Sequence, residues 1–272
     1  MAKSAFDAKF NLKFHQHKSL IPIGIEDDDY KTLATVYGTP YDEIMLYVKE
    51  FEESNKKYAE KLEEKIDLSV FNDKQLKIAF LGDSITSDRQ SFMNIIKKAL
   101  SDKKGIDIRD FAISGQTSDN LLIGFNPEVR AFHADVAHIL IGTNDMRKIN
   151  DRKQLYFLGP AEYEKNLDYV VGELVQEGTK VIISTIPPFS LTKVEKSLPE
   201  YLILYKEEDR ALYNNIIEKI AGRYSVELNN MDPFFSNYDS EDLTLPDGIH
   251  LNSLGHELMT IAVTEKIIKA IG

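Results

Sequence analysis

Acyl transfer on a serine needs a hydroxyl, a base to take its proton, a group to orient that base, and donors for the oxygen that becomes charged. Ser84 is a candidate for the first. It stands in Gly82-Asp83-Ser84-Ile85, where the apolar run Ile78 to Leu81 ends abruptly. Of the six histidines, His15 and His17 fall in an irregular N-terminal stretch, His133 and His138 in or beside a predicted strand, and His256 within the last predicted helix. His250 differs. It sits in the turn-rich Leu245-Pro246-Asp247-Gly248-Ile249-His250, with Asp247 three residues before it. A tight turn of that length can bring the carboxylate to Nδ1–H of the imidazole and leave Nε2 free for Ser84. Taken alone, Asp-x-x-His reads equally as a turn followed by a helix entry.

Two further strand ends carry polar groups. Ile139-Leu140-Ile141-Gly142 runs into Thr143-Asn144-Asp145, and the Asn144 amide is a possible oxyanion donor; an Asn-Asp turn or helix cap is the plain alternative. In Ala112-Ile113-Ser114-Gly115-Gln116, Gly115 lets a bare backbone N–H approach a reacting oxygen, or simply makes a turn.

The elements that must hold these residues alternate. Strands are predicted over 77–82, 106–112, 136–142, 180–186 and 225–229, and helices over about 89–101, 118–124, 161–177, 199–222 and 254–270. In the fourth helix Leu202, Leu204, Ala211, Ile216 and Ile220 form the stripe. Ile78 to Leu81 are apolar without alternation, as in a strand covered on both faces. Strand–helix alternation argues for a parallel sheet between helices, whose strand ends are the usual ligand site. The loop from Pro187 to Pro199 is long for such a fold and is expected to line the site.

Residues 1–73 have another texture and read as an N-terminal extension to a domain over 74–272. Residues 1–39 suggest loops and short strands, with an acidic cluster from Glu26 to Asp29. A long helix over about 40–66 follows, with Thr39 as its cap, Pro40 in first position, and Asp42 and Glu43 in its first turn. Ile44, Val48, Phe51, Tyr58 and Leu62 form one stripe along it, with Asn55 in the missing place. That stripe either packs on its own chain or pairs with a second copy, giving a homodimer in which Asn55 sets the register.

Composition narrows the classes. With 43% hydrophobic and 28% charged residues, the chain is ordinary globular material. A formal net charge of −11 argues against a nucleic-acid partner. There is no cysteine, no apolar leader and no membrane-length apolar run, which together suggest the cytoplasm.

Taken together and in order, Gly82-Asp83-Ser84-Ile85, Gly115, Gly142-Thr143-Asn144-Asp145 and Asp247-Gly248-Ile249-His250 resemble the motif blocks of the SGNH hydrolases, the GDSL esterase/lipase family. The resemblance covers roughly residues 76–270. It implies a flavodoxin-like three-layer α/β/α fold with a five-stranded parallel sheet and the hydrolysis of esters. It also implies Ser84 as nucleophile, His250 as base, Asp247 as its orienter, and an oxyanion hole of the Ser84 and Gly115 backbone N–H groups with the Asn144 side chain. No metal or cofactor is called for. Asp83 reads as structural. Residues beside the motifs are candidates for substrate binding: Asp88, Arg89, Met146, Arg147, Pro187 and Phe189, with Pro188. The substrate expected is a small ester such as an O-acetylated carbohydrate. A lipase, a thioesterase and a non-catalytic scaffold with a vestigial site are the alternatives.

Overall fold

The computed structural model describes residues 7–20, 24–149, 153–197 and 203–272. The helices are α1 Ala8–Lys13, α2 Gln16–Leu20, α3 Tyr30–Val36, α4 Tyr41–Lys65, α5 Ser84–Ser87, α6 Phe92–Ala99, α7 Ser118–Gly124, α8 Arg130–Phe132, α9 Pro160–Gln176, α10 Leu191–Ser197, α11 Glu207–Tyr224, α12 Asp232–Phe235, α13 Ser240–Leu243 and α14 Ser253–Ile271. The strands are β1 Leu76–Gly82, β2 Ile106–Asp110, β3 Val136–Leu140, β4 Lys148–Ile149, β5 Lys180–Ser184, β6 Ile203–Leu204 and β7 Glu227–Asn229.

Five strands pair in parallel in the order β2-β1-β3-β5-β7, with Phe80 beside His138 and Ile183 beside Leu228. This is the flavodoxin-like order, in which chain direction across the sheet reverses between β1 and β3 and opens a crevice at their C-terminal ends. The unbroken apolar run of β1 serves both faces. Ile78 and Phe80 join a core with α4, α6 and α14, while Ala79 and Leu81 join a second core with α7, α9 and α11. The fold is therefore three layers, helices on either side of one sheet.

The strands stop two residues short of expectation at the ends of β2, β3 and β5, because the chain turns there into the loops that carry polar groups. The helix expected from 89 begins at Phe92, where Ser91 accepts a hydrogen bond from Asn94 N. The helix expected from 199 begins at Glu207; the earlier stretch with Leu202 lies outside the described residues, and Leu204 pairs in β6 with β4. The loop from Pro187 contains α10.

The largest departure is at the N-terminus. Ala8–Lys13, Gln16–Leu20 and Tyr30–Val36 form short helices, where loops and short strands were expected. Asp7 caps α1 by accepting from Phe10 N at 2.9 Å, and Asp29 caps α3 by accepting from Thr32 N at 3.1 Å. Part of the acidic cluster was thus a helix start. Thr39 does not cap α4; Pro40 precedes it with no side-chain cap. Two cores share the α4 stripe. Ile44, Val48 and Phe51 pack with Leu12, Leu33 and Ala34, and Ala59 and Leu62 join α6 and α14. Lys61 and Lys65 both pair with Glu257 of α14. Asn55 Nδ2 donates to Arg89 O at 2.7 Å, so the polar interruption serves a contact within the chain. The stripe proposed as a dimer seam is covered by the chain's own residues.

Candidate active site

The end of β1 delivers Ser84. Asp83 is wholly buried and caps α5, its Oδ1 accepting from Ile85 N at 3.0 Å. Burial pushes the Asp83 carboxyl up to about 6. Ser84 is thereby fixed as the first residue of a helical turn above the crevice.

His250 arrives from far along the chain. Asp247 Oδ1 accepts from the backbone N–H groups of Ile249 and His250 at 2.9 and 3.0 Å, and its Oδ2 accepts from His250 Nδ1 at 2.7 Å. With Nδ1 carrying that proton, Nε2 is an acceptor, 2.8 Å from Ser84 Oγ, whose hydroxyl donates to it. The turn depends on Gly248. Its φ is +78°, and a Cβ there would lie 2.5 Å from Ser190 O and 2.7 Å from Val194 N. The loop after β5 clamps this turn: Ser190 N donates to Gly248 O at 2.7 Å, and Lys193 Nζ to Thr244 O at 2.8 Å.

Burial pulls the His250 pKa down, but the Asp247 charge and hydrogen bond outweigh it and leave the ring above its ordinary value. Asp247 moves the opposite way. Burial pushes it up, and the His250 charge together with three N–H donors holds it below the usual carboxylate range. A poised neutral base beside a fixed carboxylate is the arrangement that activates a hydroxyl.

In the loop after β2, Gly115 adopts φ +77° with open space where a Cβ would stand. Among the described residues neither the Ser84 nor the Gly115 backbone N–H has a hydrogen-bond acceptor. Asn144 is nearly buried; one hydrogen of its amide goes to Gln116 O at 2.9 Å, which leaves the other free. Asp145 holds the neighbouring loop by accepting from Ser118 N at 2.9 Å.

The pocket candidates divide. Asp88 is wholly buried and pairs with Lys13 at 3.1 Å and His256 at 3.2 Å. Arg89 turns to the N-terminal helices, donating to Leu12 O and Asp27 O. Met146 lies in the core beneath α9. Each of these three is engaged by partners inside the fold. Arg147 is half-buried with its guanidinium 4.1 Å from the Phe157 ring centre. Pro187 and Phe189 are buried, with Phe189 against Tyr205, while Pro188 is partly exposed.

Another serine–histidine pair is present in the sheet. His138 Nε2 lies 2.7 Å from Ser184 Oγ, but both are wholly buried, among the described residues no carboxylate orients the ring, and burial lowers its pKa to about 3. It is a core hydrogen bond. Among the described residues one cluster brings potential metal ligands within 4.8 Å of one another: His15, His17 and Asp27. Asp27 Oδ1 already accepts from both rings, and its Oδ2 pairs with Lys18 at 2.7 Å, so the carboxylate has protein partners on both oxygens.

Sequence reasoning missed the residues that cover the base. The Phe14 ring centre lies 4.2 Å from that of His250, and Phe10 meets His250 edge-on at 6.1 Å. The one local signal was two aromatics four residues apart, a pair that shares a face if the segment is helical.

Residues 80–258 match the GDSL-like Lipase/Acylhydrolase family. The uncharacterized protein YpmR of Bacillus subtilis is 24% identical over 71% of this chain and 81% of its own length. An acetyl xylan esterase, AlAXEase, shares the fold with a TM-score of 0.59 at 21% identity, over 71% of this chain and 100% of that one. A lipase/acylhydrolase from Enterococcus faecalis gives 0.59 at 20% identity, over 71% and 96%.

Proposed function

The chain belongs to the GDSL-like lipase/acylhydrolase family and is a hydrolase acting on ester bonds, and from that premise we propose that it cleaves a small, short-acyl ester through an acyl-enzyme on Ser84. The observation that carries this reading is the line from Asp247 Oδ2 through His250 to Ser84 Oγ, with gaps of 2.7 and 2.8 Å. Ser84 Oγ attacks the ester carbonyl carbon while its proton passes to His250 Nε2. The carbonyl oxygen gains negative charge and is met by the Ser84 and Gly115 N–H groups and the spare Asn144 amide hydrogen. Collapse returns the His250 proton to the leaving alcohol and leaves the acyl group on Ser84. Water then gives a proton to His250 as it attacks the acyl carbon, and collapse breaks the ester to Ser84, returning that proton from His250 Nε2 to Ser84 Oγ as the acid leaves.

An O-acetylated carbohydrate is the substrate class we favour. A solved structure of the same fold is an acetyl xylan esterase. A panel of esters from acetyl to long acyl, on aryl alcohols and on acetylated sugars, tests this, with mass spectrometry of the quenched protein to detect the acyl group on Ser84. Rates highest for acetyl support the reading; rates that climb through long chains make it a lipase instead. Among the described residues no helix is long and apolar enough to cross a membrane. We place the enzyme in the cytoplasm, where a chain without cysteine is at home; cell fractionation tests that placement.

A further inference from the structure

Residues 8–17 lie outside the span shared with the family, which begins at residue 80, yet they reach the reacting groups. Phe14 is wholly buried, its ring tilted 37° against the His250 imidazole at 4.2 Å. Phe10 packs on Phe14 at 4.6 Å and stays half-buried. The Gln16 amide donates to Ser114 Oγ at 2.8 Å, one residue before Gly115. Lys13 pairs with Asp88, four residues after Ser84, while Arg89 N donates to Lys13 O at 2.9 Å. The same stretch is thus tied to the nucleophile's turn, to the Gly115 loop and to the base. From behind, Leu12 fixes it in the core formed with Leu33, Ile44, Val48 and Phe51.

From this geometry we propose that the N-terminal segment completes the active site, with Phe14 a positioning residue for His250 and Phe10 a wall beside the leaving alcohol. The inference rests on Ser84 and His250 acting as described above. A flat ring held against one face of the imidazole restricts its rotation and keeps Nε2 on Ser84. It also keeps water from that face, which strengthens the bond to Asp247. The leaving oxygen must come within reach of Nε2 to be protonated, so the apolar surface next to His250 meets the alcohol side of the ester rather than the acyl side. Misplacement of a catalytic group by about 1 Å costs on the order of a hundredfold in rate.

The test compares wild type with Phe14→Ala, Phe14→Leu and Val170→Ala, the last opening a cavity in the opposite core where it touches none of these groups. Phe14→Ala should lower kcat for para-nitrophenyl acetate by about ten- to a hundredfold with little change in KM. Phe14→Leu should recover most of it, and Val170→Ala should keep kcat despite lower thermal stability. One readout needs no turnover. The His250 Nδ1 proton should give a downfield proton NMR signal in wild type and Val170→Ala, and lose it to solvent exchange in Phe14→Ala. A folded Phe14→Ala protein that keeps both its kcat and that signal overturns the proposal, as does a Val170→Ala protein that loses as much kcat. If wild type shows the signal but hydrolyses no ester, the assignment of the reaction fails, and the NMR comparison still decides the role of Phe14. Phe10→Ala should change selectivity among alcohols at constant acyl group; unchanged selectivity removes the wall.

Discussion

At the scale of single residues the account turns on protons. His250 must be neutral to accept the Ser84 proton, and Asp247 lifts its pKa above the ordinary value of about 6.5. The acid limb of kcat/KM should therefore lie above pH 6.5, and a rate flat from about pH 5 to 8 would contradict a histidine base. The same shift affects stability. A histidine whose folded pKa is raised contributes stability fully below about pH 6.5, and that contribution is lost as pH rises through the folded value. The catalytic form is thus the one without that contribution. Asn144→Ala should cost about 10²–10³ in kcat, roughly 3–4 kcal/mol, with KM little changed, because the charge it meets exists only in the transition state. A change in KM alone would make Asn144 a substrate-binding group. The Asp247–His250–Ser84 line was legible because its parts lie in short local patterns: Asp247 and His250 share one turn, and Ser84 follows an apolar strand. What holds Asp88 and Arg89 was not legible. Adjacency to the nucleophile is visible in sequence, whereas their partners Lys13, His256, Leu12 and Asp27 are distant along the chain. Phe14 was illegible because nothing local connects it to His250.

At the scale of elements, the sheet was legible from the alternation of strands and helices and from the unalternating run of β1, while the N-terminal helices were not. Helices as short as α1 and α3 have too few turns for a stripe to show, and the cap Asp29 read only as part of an acidic cluster. The structure makes α4 a strut between two cores. Light scattering of the full chain should then report a monomer; a dimer abolished by Val48→Asp with Phe51→Asp would reinstate the helix as an interface. Those changes in a monomer should instead unfold or precipitate the protein, since each buries an unpaired carboxylate. The turn carrying His250 makes its own prediction. Gly248→Ala puts a Cβ at positive φ and 2.5 Å from Ser190 O, so it should displace the Asp247–His250 pair and abolish most activity while the core helices persist by circular dichroism. Near-normal activity would show that the turn relaxes at little cost.

At the scale of the whole molecule, one crevice gathers what the chemistry needs. In the proposed mechanism β1 brings the nucleophile, the loop after β3 the Asn144 donor, the turn before α14 the base, and the first helices the cover over that base. The fold supplies such a crevice wherever the strand order reverses; the chemistry depends on the side chains placed there. The measurement that tests the central claim most directly is hydrolysis of para-nitrophenyl acetate by wild type and Ser84→Ala side by side, with folding checked by circular dichroism. Wild type should turn the ester over, and Ser84→Ala should be folded and slower by several orders of magnitude, as expected when a triad nucleophile is removed. A folded Ser84→Ala protein retaining most of the wild-type rate would contradict the account.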